Sequence, residues 1–478
     1  MHSDEANQAV KAGELLETGD YAFDPRDHHG PTLYYAALPI AWLRGERTLA
    51  VLDETTVRLV PALAGTIGVL LLVALAAPLG RWPALVAGAF MAVSPPAVYY
   101  SRYFIQETLL VTFTLAALVC AQQWRRTGRV AWAMGAGVGG GLMLATKELA
   151  PLFALAAAIA AFVLSASTGS EVGRDRWARR ESPDADADQT ARPAVAPYLS
   201  RLRSFRDLAV AAGTALVVAL LFYSSFGTHI AGMGDAVMAY GQAWSRSTGE
   251  SGHEKSWWYY LRLFGWQRSG GVVFEQVAFS IFLMAGFATA IFSANKFLRW
   301  TAFYTVIIVV ALSLAPYKTP WHAVHFVPGF AVLAAGALAG LPNWRWALAL
   351  AGVTLAFQTT QTWRVAFAYA ADARNPYAYV HSSPDVLKFR ALAEAALARA
   401  PAEVIRVIGG EYWPLPWYLR GLPQVGYWSA PPAACDGALV IVSAGQAEAV
   451  RVKLRGAYRE SILGLRPGVL CVVFTPLP

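Results

Sequence analysis

The sequence predicts a mainly α-helical protein, a polytopic bundle of transmembrane helices with a small C-terminal α/β domain outside the membrane, and three observations carry that expectation. Of 478 residues, 56% are hydrophobic and 15% charged, with a mean hydropathy of +0.40, whereas a soluble domain carries about 25% charged residues. Apolar runs of spanning length recur between residues 56 and 364, and a bilayer core about 30 Å thick needs about 20 mostly apolar residues per helix. Beyond residue 370 the pattern changes to short β-like runs set between Gly and Pro turns.

The apolar runs lie at 56–79, 83–101, 106–124, 130–146, 149–167, 208–226, 273–293, 300–317, 321–341 and 344–364. Each reads as one crossing, because only helices and closed barrels satisfy every backbone polar group in lipid. The stretch 31–54 is apolar in its first half but too short to cross, which predicts an interfacial helix within a first loop of residues 1–55. If each run crosses once, Arg81, Arg125, Arg126, Arg129, Lys296, Arg299 and Arg345 gather on one side with the Arg-rich stretch 168–207. Basic short loops mark the cytoplasm, so transmembrane blocks 56–167 and 208–369 are expected to flank a disordered basic cytoplasmic linker at 168–207.

The formal charge of +8 is thereby assigned to orientation in an inner cell membrane, and nucleic acid is not expected as a partner. The opposite, extracytoplasmic face then receives 1–55, the turn 101–106, Lys147-Glu148, the loop 227–272, the turn 317–321 and the domain 370–478. In that domain, Ser383 is placed to cap a helix over 384–400, and Val404–Ile408, Ala438–Val442 and Val469–Phe474 read as strands. Cys435 and Cys471 could pair on an oxidising side, while three cysteines without ligand spacing predict no zinc site.

Chemistry-bearing residues cluster in the loops of that face. Asp4 and Glu5 offer adjacent carboxylates, suited to a general base and compatible with a divalent metal, although adjacent acids also decorate ordinary surface helices. Glu107 opens an apolar run, where an acid is costly unless paired or wetted, and Arg102 is the partner within reach. His28, His29, Tyr35, Lys147, Lys318 and His322 are expected to bind substrate, with snorkelling or simple turn formation as the plain alternative for the cations. In Gly252-His253-Glu254-Lys255-Ser256-Trp257-Trp258-Tyr259-Tyr260, three titratable groups precede four aromatics. Interfacial anchoring or sugar stacking explains the rings, and anchoring does not explain the three titratable groups before them, which favours a functional reading. No Gly-rich phosphate loop after a strand, zinc-protease helix or Gly-x-Ser-x-Gly elbow is present, and the glycines of 135–141 fit close helix packing.

His2-Ser3-Asp4-Glu5-Ala6, His29-Gly30-Pro31-Thr32-Leu33-Tyr34-Tyr35, Arg58 to Gly65 and Ser101 to Glu107 resemble, in order, the first half of the protein mannosyltransferase and aminoarabinose-transferase superfamily. Gly252 to Tyr260, Tyr317-Lys318-Thr319-Pro320-Trp321 and Tyr412-Trp413-Pro414-Leu415-Pro416-Trp417-Tyr418 resemble more narrowly the branch known as flippase-activity-associated membrane proteins. The resemblance implies a GT-C fold and a polyprenyl-phosphate-linked sugar as donor in the cell envelope. It implies Asp4 as general base with Glu5 beside it, Glu107 as the second-loop acid, and Lys147 and His253 to Lys255 as phosphate contacts. The family's first loop follows a transmembrane helix, and here the motif starts at Met1, so the alternatives are an apolar span encoded upstream or a first loop that has lost its membrane tether. Inverting transfer to an unidentified acceptor is the leading expectation; a noncatalytic flippase accessory or transporter gripping the same lipid-linked sugar is the alternative.

Overall fold

A computed structural model describes residues 1–26, 29–180, 195–248 and 254–477, with side chains left out over 166–203 and 246–248. Two helices precede the bundle, α1 (Ser3–Thr18) and α2 (Thr32–Leu43). The bundle follows as α3 (Glu54–Ala76), α4 (Arg81–Ala92), α5 (Pro95–Tyr100), α6 (Glu107–Thr127), α7 (Val130–Leu144), α8 (Ala150–Arg180) and α9 (Val195–Tyr223). It resumes after α10 (Gly232–Thr248), α11 (Tyr259–Phe264) and a hairpin of β1 (Trp266–Ser269) and β2 (Val272–Glu275). Its last four helices are α12 (Val277–Phe292), α13 (Lys296–Leu314), α14 (Val327–Ala339) and α15 (Trp344–Trp363). Among the described residues, four helical stretches are long and apolar enough to cross a membrane: Glu54–Leu79, Ser204–Tyr223, Lys296–Leu314 and Pro320–Ala339.

Helices occupy all ten apolar runs, with local departures that have physical causes. The run 83–101 is not one helix but α4 and α5. Pro95 and Pro96 open α5, and Ser94, ahead of them, is held at ψ 127° in extended conformation, as steric clash with a following proline ring requires. The run 321–341 begins as a 3-10 helix, Pro320–Phe326, before α14. Both ends of the expected linker 168–207 are helical, since α8 runs to Arg180 and α9 starts at Val195; adding residues to an existing helix is far cheaper than nucleating one. The rest of that linker, 181–194, lies outside the described residues.

The glycines of α7 let it pack tightly. A Cβ at Gly137 would fall 2.4 Å from the Ala211 carbonyl oxygen on α9, and one at Gly139 would fall 2.9 Å from Ala117 on α6. Backbone approach of this kind is how small residues hold helices together where lipid supplies no hydrophobic drive.

The C-terminal domain is a five-stranded mixed sheet in the order β4-β3-β5-β7-β6. Its elements are α16 (Val386–Arg399), β3 (Ile405–Ile408), α17 (Leu415–Tyr418), β4 (Val425–Trp428), β5 (Leu439–Ser443), α18 (Ala447–Arg451), β6 (Tyr458–Arg466) and β7 (Val469–Pro476). Strands β4, β3 and β5 run parallel, and β7 and β6 antiparallel. Ser383 accepts from the Asp385 N–H at 3.3 Å, which moves the cap of α16 two residues on, to Asp385. Cys435 and Cys471 are both free and buried, in separate apolar clusters, so the expected pairing is absent. The domain does not stand apart. One core cluster runs from Ala6 and Ala9 of α1 through Leu33 and Tyr34 of α2 to Phe389, Leu415, Trp417 and Ile441.

Candidate active site

The N-terminus of α1 decides which of its two acids faces what. His2 is the N-cap: its Nδ1 accepts from the Asp4 N–H at 3.1 Å, and Glu5 reaches back to accept from the His2 N–H at 3.3 Å. This reciprocal capping box turns Glu5 inward, fully buried. There Arg58 of α3 grips it with two hydrogen bonds, 2.6 and 2.8 Å, and the Phe104 N–H adds a third at 3.3 Å. Burial alone would raise the Glu5 pKa; the hydrogen bonds and charge of Arg58, helped by Phe104, hold it below the ordinary carboxylate value. Asp4, one residue earlier and so about 100° round the helix, stays exposed. Glu5, expected beside Asp4 in the chemistry, is thus occupied as an anchor, and the pair does not converge on one point.

Asp4 opens onto a cavity of about 410 Å³ where the bundle meets the C-terminal domain. The bundle side gives Tyr317 and Trp321, the connection before α16 gives Tyr379, and the domain gives Glu411, Trp413 and Arg466. Arg466 is ion-paired with Glu411 and donates to the Trp413 carbonyl at 2.8 Å. Asp4 itself makes no ion pair among the described residues. A carboxylate facing a chamber ringed by tyrosine and tryptophan can accept a proton from a hydroxyl while a sugar ring stacks on the aromatic faces. Above the Asp4 backbone, His2 packs against Tyr103, Trp321 and His381. His381 is hydrogen-bonded to Tyr103, and burial, with His2 nearby, pushes its pKa down to about 3, so it is neutral at physiological pH.

A second polar cluster lies at the start of α6 and the α7–α8 turn. Glu107, the first residue of α6, forms a buried ion pair with Lys147, not with Arg102 as expected. Arg102 precedes α6 and instead stacks on Phe367 at 4.3 Å. Beside the pair, His29 Nδ1 meets the Glu148 carboxylate at 3.1 Å. Burial raises the Glu148 pKa, but the His29 charge and hydrogen bond, with Lys147, hold it at about 2. The loop carrying His29 is pinned on the α7–α8 turn by Gly30 N–H to the Thr146 carbonyl, 3.1 Å, and Thr32 N–H to the Ala145 carbonyl, 3.2 Å. Gly30 is required for that approach, since a Cβ there would fall 2.1 Å from the Ala145 oxygen. His322 joins from the 3-10 helix, its Nδ1 3.1 Å from the Tyr260 hydroxyl.

The remaining expected residues are spread around this centre. Glu254 forms a β-bridge with Tyr317, and the Lys255 N–H donates to the Pro316 carbonyl at 3.2 Å, so Glu254 and Lys255 dock along the turn that walls the Asp4 cavity. The Lys318 ammonium is wrapped by the carbonyls of Lys255 and Ala315 and is buried, a structural strut more than an open cation. Tyr35 does not line the cavity: it packs against Phe222 and Phe226 at the end of α9. His28 and His253 lie outside the described residues. Among the described residues no group of three or more His, Cys, Asp or Glu is placed to hold a metal.

Sequence reasoning missed Tyr379, Glu411, Trp413 and Arg466 as cavity residues. The Tyr412-Trp413-Pro414 motif was a visible signal for Trp413. Arg466 ends a mostly exposed strand without apolar alternation and carried none.

A separate groove of about 320 Å³ lies among α3, α4, α5 and α6, walled by Gly65, Val69, Leu70 and Val111, with Ser101 and Arg102 in its lining.

Residues 40–178 match the family model for dolichyl-phosphate-mannose-protein mannosyltransferases. The comparison with curated proteins gives no match. Among solved structures, ArnT from Cupriavidus metallidurans superposes with a TM-score of 0.63 at 14% identity, over 98% of this chain and 93% of that one, both in the apo state and bound to undecaprenyl phosphate. This chain has the GT-C fold. A more distant GT-C structure, the archaeal oligosaccharyltransferase AglB from Archaeoglobus fulgidus in complex with an inhibitory peptide and a dolichol-phosphate, superposes at a TM-score of 0.50 and 14% identity, over 96% of this chain and 69% of that one. The family-model match takes in Glu107 and Lys147 but not Asp4 or the sheet domain. Those parts are joined to the GT-C fold by the superposition over nearly the whole chain.

Proposed function

We propose that this chain is a membrane glycosyltransferase that moves a sugar from a polyprenyl-phosphate donor to a hydroxyl on an extracytoplasmic acceptor, with inversion and with Asp4 as general base. The observation that carries the reading is the division of labour at the start of α1: Glu5 is held by Arg58 while Asp4 faces an aromatic-walled chamber. The similarity to ArnT, solved with undecaprenyl phosphate, supports a lipid phosphate as the donor's leaving group.

In the proposed step the Asp4 carboxylate accepts the acceptor's hydroxyl proton, the freed oxygen bonds to the anomeric carbon, and the bond from that carbon to the phosphate oxygen breaks. Polyprenyl phosphate leaves as a stable anion, so no leaving-group acid is needed. In this reading Arg102, which lines the groove among α3 to α6, meets that phosphate and the lipid tail lies in the groove. Lys147, ion-paired with Glu107, and His29, paired with Glu148, do not line that chamber and form a second charged cluster proposed to meet the donor phosphate. Tyr317, Trp321, Tyr379 and Trp413 supply faces for the sugar. The chamber faces outward because the arginine-rich helix ends lie at the other end of the bundle.

The test is product analysis: full-length protein in liposomes is incubated with polyprenyl-phosphate sugars and the lipids are analysed by mass spectrometry, with NMR of the anomeric centre. Appearance of free polyprenyl phosphate with an inverted glycoside is the expected result. A lipid-linked sugar that is bound, or moved across the membrane, with its sugar–phosphate bond intact would instead establish the accessory role.

A further inference from the structure

The largest of the described cavities lies at the other end of the bundle and has no part in the proposed transfer. Helix α3 rises from Arg58, beside Glu5, to Leu75, and 17 residues at 1.5 Å each put this end roughly 25 Å from the Asp4 chamber. There the ends of α3 and α6, the start of α13 and the flank of α8 line an open groove of about 790 Å³. Its walls are apolar, with Phe297 and Trp300 facing Leu118. Its mouth is cationic: Arg125, Arg126 and Lys296 all line it, no carboxylate does, and none of the three forms an ion pair among the described residues. Inside, Gln122 spends its amide N–H on the Leu75 carbonyl at 3.1 Å, while its carbonyl oxygen is buried with no partner.

Cations at a span end ordinarily snorkel into the headgroup region, and Arg residues in the last turn of α6 also suit its dipole. Neither accounts for an open apolar groove of this size lined by three cations, nor for an acceptor left without a partner beside it. We infer that this groove is a binding site for an anionic phospholipid of the leaflet on the arginine-rich side. The phosphodiester sits among Arg125, Arg126 and Lys296, the acyl chains lie along the Phe297–Trp300 wall, and a headgroup or glycerol hydroxyl donates to Gln122. Charge complementarity selects the occupant: a basic pocket between spanning helices suits an anionic headgroup and gives a zwitterionic one no net attraction.

The experiment is lipid binding by native mass spectrometry of the full chain, titrated with phosphatidylglycerol, cardiolipin, phosphatidylcholine and polyprenyl phosphate. Each juxtamembrane cation is worth about fivefold in affinity for an anionic lipid, so the triple variant R125Q/R126Q/K296Q is expected to bind phosphatidylglycerol or cardiolipin roughly hundredfold more weakly. Ala161→Trp, which fills the apolar wall without altering charge, should also expel the lipid, and Gln122→Leu should weaken only the hydroxylated headgroups. Size-exclusion profiles establish that each variant is folded. Equal affinity of the wild type for phosphatidylcholine, or unchanged anionic lipid binding in both the triple and the Ala161→Trp variants, overturns the assignment. So does displacement of the phospholipid by polyprenyl phosphate, which would make the groove part of the donor path. No readout depends on sugar transfer, so this inference and the proposed enzyme activity stand or fall separately.

Discussion

At the scale of single residues, neighbouring acids of the same type do different work because a helix separates them by about 100°. Glu5 meets Arg58 and Phe104, and Asp4 meets the chamber. Glu5→Gln removes the buried one of the two carboxylates that Arg58 meets, leaving Glu54 at 3.5 Å. Because Arg58 is 35% exposed, the loss is set below that of a fully buried pair, at about 2 kcal/mol of stability by thermal unfolding in detergent. Glu148 gives a pH signature. Its carboxyl stays ionised in the fold down to about pH 2, against an ordinary value of 4.5. Between those values the unfolded chain binds the extra proton, so Glu148 stabilises the fold fully above about pH 4.5, and that contribution is lost as pH falls toward 2. The amount at stake is on the order of 2–3 kcal/mol. Glu148→Gln should flatten the acid limb of a Tm-against-pH profile in that window, and an unchanged limb would remove the His29–Glu148 pair from the account.

At the scale of elements, what was legible in the sequence was what local pattern dictates. Ten apolar runs gave ten helical regions, the glycines of 135–141 gave the tight face of α7, and Ser383 lay within two residues of the true cap of α16. Pairings distant in sequence were not legible. Lys147 finds Glu107 across 40 residues, while Arg102, the local choice, stacks on Phe367. Strands β4 and β6 were missed because Val425–Trp428 is a four-residue edge and Tyr458–Arg466 is mostly exposed, so neither shows an apolar alternation. The break at Ser94 was written in Pro95-Pro96, but hydrophobicity masked it. Two predictions belong here. Gly137→Leu should push α7 off α9, costing about 1–3 kcal/mol by thermal unfolding. The same substitution at Gly213, which has open space around its Cβ site, should be tolerated.

At the scale of the whole molecule, the chamber exists because the sheet domain and the N-terminal helices share one core. Trp417 is fully buried, stacks under Arg420 at 3.9 Å and donates to Glu54 at the head of α3 at 3.4 Å. Trp417→Ala should cost about 3–5 kcal/mol and loosen the domain. Limited proteolysis should then release a fragment beginning near residue 370 while the bundle remains intact, and donor transfer should fall because Glu411, Trp413 and Arg466 leave the chamber wall. The central claim, that Asp4 takes the acceptor's proton in that chamber, is tested most directly by single-turnover transfer from a polyprenyl-phosphate sugar in Asp4→Asn beside the wild type, with donor binding measured on the same samples. The account predicts a fall of roughly 10²–10⁴-fold in rate with donor affinity nearly unchanged; turnover at the wild-type rate would contradict it.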